Sequence, residues 1–449
     1  IDDTRHTRHA TGGGVMPASE TGPLTPDQVA AYLTDGILVV DLLTEDELKT
    51  ARAGLADTLR DGFGVDVDDL DGTAGGIVDA STTNGAGEGI AQWFRSSQTS
   101  KLTSSTRLWR LSWACHLGGQ LTSEGGVLDV FYPKWKMDVA TNESLFRITR
   151  QLWREAYFHS GEGLDNEDKA DIGLDEDFKW HPFGEFDCDI GYMYIDRVGF
   201  RLPTELSERL GRARVTTCAP KPETPKNKKR RARPLDRGLT PHFDCCPETY
   251  RDACGKTKWR PIQCFVSLTD NLEANTGGFE AVPGFHREFR SWVERGRRLD
   301  SSGRAGGEAG EHPMPCVGEY THLSPAHDRE ILKRVKHIPV RAGSAVFWDN
   351  RIPHGNAYRN DPVGLQTGGD TMGGSRVVVY CSFLPDVEVN AAFVNRQLED
   401  WRAGRPPSLG DRWIKRDKES EEDRGARCEA ADPLILSELG KRLIGIVEW

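Results

Sequence analysis

The chain has 449 residues, 37% of them hydrophobic and 28% charged, with a formal net charge of −11. This composition supports a buried core and excludes a disordered chain. The acidic balance speaks against general nucleic-acid binding but leaves room for a local basic patch. No apolar run is long enough to span a bilayer, the opening stretch lacks the apolar segment of a secretory signal, and ten cysteines are scattered without a framework. Together these favour reduced thiols, no membrane partner and a cytoplasmic or nuclear setting. We read residues 1–23 as a flexible lead-in and 24–449 as one large domain.

Order begins at Leu24. Thr25 is an N-cap with Pro26 at the first helical position, Gly36 stops that helix, and "ILVV" is a buried strand. Thr44 and Glu47 form a capping box for a second helix, whose apolar stripe is Leu48, Ala51, Leu55 and Leu59. Loops and short helices are expected from Gly62 to about Gly126. "NESLFRITRQLWREAYF" then reads as an amphipathic helix, which makes 24–180 mostly helical. "CDIGYMYIDRVGFRLP" is a strand ending at a turn. "KPETPKNKKRRARPLDRG" is basic and proline-punctuated, an inserted surface loop over 219–238. From 181 to 390 the chain is strand-rich, with "RPIQCFVSLTDN", "GGFEAVPG", "KHIPVRAGSAVFWDN" and "SRVVVYCSFLP" bounded by Gly, Pro or Asn. That spacing suggests a sandwich or barrel. A second inserted loop is expected over 299–330, and helices return over 391–449.

Within "GLTPHFDCC", His242 and Asp244 stand two residues apart. On a strand, positions i and i+2 face the same way, so an imidazole and a carboxylate would converge from one rigid element. The third ligand would be His354, just past the apolar run "SAVFW". Two histidines and one carboxylate on one face of a metal leave three positions open, the arrangement of non-haem Fe(II) oxygenases. A chain with 12 histidines and 69 acidic residues also yields such pairs by chance, and His286-Arg287-Glu288 is one rival. A zinc site from His242, Cys245, Cys246 and Cys254 competes as well, although its spacing matches no usual structural zinc pattern.

Four segments carry a likeness to a known family: "LTPDQVAAYLTDGILVVDLLTEDEL", "PHFD", "NTGGFEAVPGFH" and "AGSAVFWDNRIPHGN". On these the chain resembles the Fe(II)/2-oxoglutarate-dependent dioxygenases, specifically the phytanoyl-CoA dioxygenase-like branch. The resemblance implies an α+β fold with a double-stranded β-helix (jelly-roll, cupin-like) core, flanking helices and insertions. It implies Fe(II) held by His242, Asp244 and His354, with 2-oxoglutarate and O2 as co-substrates, and hydroxylation or other oxidation of a C–H bond. An arginine on the strand after the distal histidine would bind the far carboxylate of 2-oxoglutarate. Arg376 fits that place, and Arg359 is its rival. Asn356 would donate a hydrogen bond to the co-substrate, and His286 would be a turn histidine. The intact carboxylate at Asp244 points to oxygenation rather than halogenation.

The substrate is expected to be a small metabolite. The alternative is a nucleobase in DNA or RNA, reached with help from the basic run 226–233. A metal-binding protein without catalysis is the third reading.

Overall fold

The computed structural model describes residues 23–63, 65–73, 127–128, 130–157, 181, 183–209, 241–245, 247, 250, 258–298, 312–314, 316–317, 320–323, 328–361, 372–404, 407 and 436–449. The inserted loop 219–238 with its basic run 226–233, the lead-in before residue 23, Cys246 and Cys254 lie outside them.

Helix α1 (Pro26–Asp35) starts on a reciprocal cap. The Gln28 amide donates to the Thr25 hydroxyl, and the Thr25 amide donates to the Gln28 side chain. Gly36, at φ 68°, ends it and releases the chain into β1 (Ile37–Asp41). Thr44 and Glu47 cap α2 (Glu45–Phe63) in the same reciprocal way, and Ala51, Leu55 and Leu59 are buried along it. After β2 (Val127–Leu128) come α3 (Lys134–Ala140) and α4 (Glu143–Ala156). The expected amphipathic helix is α4. Its buried stripe includes Leu145, Ile148, Leu152 and Trp153, each such side chain contributing roughly 1.5–3 kcal/mol on burial.

The strands follow in order: β3 (Gly191–Arg201), β4 (His242–Phe243), β5 (Ile262–Ser267), β6 (Phe279–Ala281), β7 (Gly296–Arg298), β8 (His312–Met314), β9 (Cys316–Val317), β10 (Tyr320–His322), β11 (Lys336–His337), β12 (Ser344–Asp349), β13 (His354–Asn356) and β14 (Arg376–Pro385). Short helices α5 (Phe289–Arg295) and α6 (Arg329–Leu332) interrupt them, and α7 (Glu388–Arg402) and α8 (Glu438–Ile444) close the described chain. Two six-stranded sheets result, β1-β12-β5-β14-β3-β2 and β11-β6-β13-β4-β10-β9, antiparallel throughout, beside a small parallel pair β7-β8. The chain passes repeatedly between them: β3, β5, β12 and β14 lie in the first sheet, and β4, β6, β11 and β13 in the second.

The two sheets meet through aromatic side chains. Phe265 on β5 lies 5.6 Å from Phe279 on β6, which lies 4.9 Å from Trp348 on β12 (centroid distances). Every residue of β5 and β12 is buried, because both faces of the first sheet are covered. Phe146 of α4 packs 5.0 Å from Phe383 on β14, so helices cover the outer face.

The mostly helical N-terminal part also supplies β1 and β2, the two edge strands of the first sheet. The segment 299–330, expected as an inserted loop, contains β10, which pairs antiparallel with β4, placing Thr321 opposite Phe243, and so widens the sheet that carries His242. Strands this short leave little periodicity in the sequence to detect.

Candidate metal centre

His242 opens β4 and His354 opens β13, and the register of these strands sets the two residues opposite each other. Their ring centroids are 4.6 Å apart. Asp244 lies just beyond β4, in a bend rather than on the strand. The i, i+2 argument therefore gives the right partner through a different backbone. The carboxylate bends back so that Oδ1 is 3.3 Å from His242 Nε2 and Oδ2 is 3.7 Å from His354 Nε2. One donor atom from each of the three lies within 4.8 Å of the others, and no other such group of metal-binding side chains occurs among the described residues. Donors about 2.1 Å from one ion and at right angles to each other lie about 3 Å apart, so a small contraction would complete a facial set.

The hydrogen bonds favour the metal-binding form of His354 and Asp244. His354 Nδ1 faces the Ile352 carbonyl at 3.0 Å, which places its proton there and leaves Nε2 with a lone pair toward Asp244. Gln263, on β5, donates to Asp244 Oδ2 at 2.7 Å, and Arg260 stands 3.6 Å from the same oxygen. Asp244 Oδ1 is buried without a hydrogen-bond partner. Burial pushes the Asp244 carboxyl up, and the two imidazoles outweigh it and hold it well below the usual carboxylate range. Burial, with His242 beside it, pushes the His354 imidazole down, toward the neutral form that ligates a metal.

A cavity of about 100 Å³ opens onto the triad. Phe265, Phe279, Trp348, Asn356, Tyr380 and Ser382 contribute to its walls. Asn356 is two residues beyond His354 on β13 and shares its face.

The two arginines separate clearly. Arg376 opens β14, is buried, and has Nε and Nη2 without hydrogen-bond partners. It is not among the cavity-lining side chains, but its guanidinium lies 5.3 Å from the ring centre of Phe265, which is. Arg359 is corrected: its side chain is 59% exposed and pairs with Asp361 at 2.5 Å, so the structure does not bring it to the site. Arg359 follows β13 at the surface, where Asp361 is its partner. His286 is buried in a turn with Nε2 3.0 Å from the Leu33 carbonyl, away from the triad. Cys245 directs its sulfur toward the Asn350 carbonyl at 3.5 Å and is not part of the cluster.

Sequence reading missed Gln263, Arg260 and Arg197, all of which line the cavity. A signal for two of them was visible: a glutamine inside the apolar run "PIQCFVS", and the charged pair in the middle of the strand "YMYIDRVGF".

No protein-family model matches the chain, and no curated protein matches it. Solved structures do. A hypothetical protein from Escherichia coli is 16% identical, with 91% of this chain and 99% of that one covered and a TM-score of 0.44. The GlcNAc-inducible gene 2 protein of Candida albicans is 14% identical, with 96% and 91% covered and a TM-score of 0.48. SnoK, a non-haem alpha-ketoglutarate-dependent carbocyclase of nogalamycin biosynthesis, is 12% identical, with 82% and 87% covered and a TM-score of 0.36.

Proposed function

We propose that this protein is an Fe(II)- and 2-oxoglutarate-dependent oxygenase of the phytanoyl-CoA dioxygenase-like branch, built on a double-stranded β-helix, and that it oxidises a C–H bond of a small organic substrate. The alternation of β3–β6 and β11–β14 between two sheets supports the fold reading. One observation carries the chemistry: His242, Asp244 and His354 converge from neighbouring strands with Asp244 Oδ1 left open inside a cavity.

His242 and His354 would hold the ion through Nε2, and Asp244 through Oδ1, while Gln263 keeps the other carboxylate oxygen in place. The metal, when bound with 2-oxoglutarate and O2, supplies an oxidant that can take hydrogen from a C–H bond, with succinate and CO2 as by-products. Arg376 offers the buried fork that a distal carboxylate needs, and a fixed guanidinium matches two carboxylate oxygens at once. Asn356 can donate an amide N–H toward the co-substrate from the same strand as His354. The ring faces of Phe265, Phe279 and Trp348 keep water from the reacting centre.

The test is an anaerobic titration of the metal-free protein with Fe(II) and then 2-oxoglutarate, followed by the weak visible charge-transfer band, with His242→Ala beside it. A band in the wild type alone is expected. Iron uptake without a band would mean a different co-substrate, and no uptake of iron would overturn the oxygenase reading.

A further inference from the structure

Alternation along β14 sets Arg376, Val378, Tyr380 and Ser382 on one face, and of these Tyr380 and Ser382 line the cavity. On one side, β14 meets a bulge. Its register with β3 pairs Ile195 with Cys381 and Val198 with Val379, so Asp196 and Arg197 together stand opposite the single residue Tyr380. On the other side the register is regular, with Tyr380 opposite Phe265 and Ser382 opposite Gln263. The charged side chains of this wall engage one another. Arg197 and Arg260 lie 3.8 and 3.6 Å from Asp196, and Arg260 lies 3.6 Å from Asp244. The two hydroxyls differ. Tyr380 packs its ring edge-on to Phe265 at 6.3 Å, and its O–H has no hydrogen-bond partner among the described residues. Ser382 accepts from the Cys264 amide at 3.2 Å, and its own proton has no acceptor among the described residues.

We propose that Tyr380 and Ser382 form the hydrogen-bonding pair that recognises an uncharged, oxygen-bearing substrate, through a carbonyl or hydroxyl oxygen. The inference rests on the oxygenase reading and deepens it by naming the substrate class. A cavity hydroxyl without a protein partner is satisfied by water or by a ligand oxygen that replaces it. Positions i and i+2 of a strand lie about 7 Å apart, a span that one small molecule covers. Phe265, Phe279 and Trp348 supply apolar walls for its carbon skeleton. Arg376 stands four residues away on the same face, about 13 Å along the strand. Phe265 lies between, 5.3 Å from the Arg376 guanidinium and 6.3 Å from the Tyr380 ring. The substrate's anchor is thus separate from the co-substrate's.

The experiment uses the full chain loaded anaerobically with Fe(II) and 2-oxoglutarate. Equilibrium dialysis measures binding of benzyl alcohol and acetophenone, and of toluene and ethylbenzene, which are similar in size and lack the oxygen. Tyr380→Phe should weaken the two oxygenated probes about fivefold or more and leave the two hydrocarbons unchanged. Ser382→Ala should shift the same two probes in the same direction. Two-oxoglutarate affinity should be unchanged in Tyr380→Phe. Equal effects of Tyr380→Phe on both kinds of probe, or none on the oxygenated ones, overturn this proposal and leave the oxygenase reading standing. So does failure of every probe to bind protein that loads normally. A loss of 2-oxoglutarate affinity in Tyr380→Phe also overturns it, since the phenol would then belong to the co-substrate's seat. Failure to load Fe(II) at all takes down both.

Discussion

A short turn separates Asp349 from His354, and the buried polar groups around the two are finished in opposite ways. Asp349 Oδ1 accepts from the backbone amide and Nε of Arg351, and Oδ2 accepts from Arg351 Nη2 and the Tyr157 hydroxyl, all between 2.5 and 2.9 Å. Next to it, Asn350 accepts from Tyr250, and Tyr250 accepts from Trp259. Around Asp244, by contrast, Oδ1 has no hydrogen-bond partner, and Arg376 keeps Nε and Nη2 without one. Buried polar atoms without a hydrogen-bond partner are costly. The closed cluster pins the turn that presents His354, and the open one is where we propose that the metal and co-substrate bind.

The comparison breaks most severely at the open cluster. His354→Ala should lower Fe(II) affinity more than about 100-fold, since disturbing groups that merely orient a ligand already costs 10–100-fold. Equilibrium titration with Fe(II) under anaerobic conditions checks it, and unchanged affinity would remove the metal centre. At the closed cluster, Arg351→Met should destabilise the fold by about 3–5 kcal/mol, because it strands the Asp349 carboxylate. Urea unfolding reads this, and a loss below about 1 kcal/mol would show the cluster is not the closed unit described.

Arg376→Met should do the reverse. It removes an unfilled cation, so it should cost little stability while weakening 2-oxoglutarate binding by about 2–5 kcal/mol. Arg359→Met should leave that binding alone. Equal effects of the two variants would refute the assignment.

A further effect is read across pH and concerns His286, which packs near the closed cluster. Burial pushes its imidazole down to about 4, against an ordinary value of 6.5. The unfolded chain therefore binds the proton first as pH falls. The full stabilisation is present above pH 6.5 and is lost between there and about 4, amounting to roughly 3 kcal/mol. His286→Gln should flatten the urea midpoint across that window, and an unchanged slope would exclude His286 as its source.

Much of this was legible because it is local. The Thr25 and Thr44 caps, Gly36 as a helix stop and the stripe of α4 depend on residues within one turn of each other. The apolar strands β5, β12 and β14 announced themselves by β-branched and aromatic content. The strands β4, β9 and β10 did not, since two or three residues hold no period. The sequence favoured Arg376 over Arg359 for its place on a strand, and the burial of one and the exposure of the other belong to the tertiary structure.

The sequence by itself determined which residue types could hold a metal and in what chain order they occur, because ligand chemistry belongs to side chains. Tertiary structure decided that His242 and His354 pair across neighbouring strands, that Asp244 turns back from a bend, and that a bulge aims Arg197 into the same cavity. Those facts depend on strand register between segments far apart in the chain. Register is set by the packing of whole sheets, which no short stretch of sequence contains.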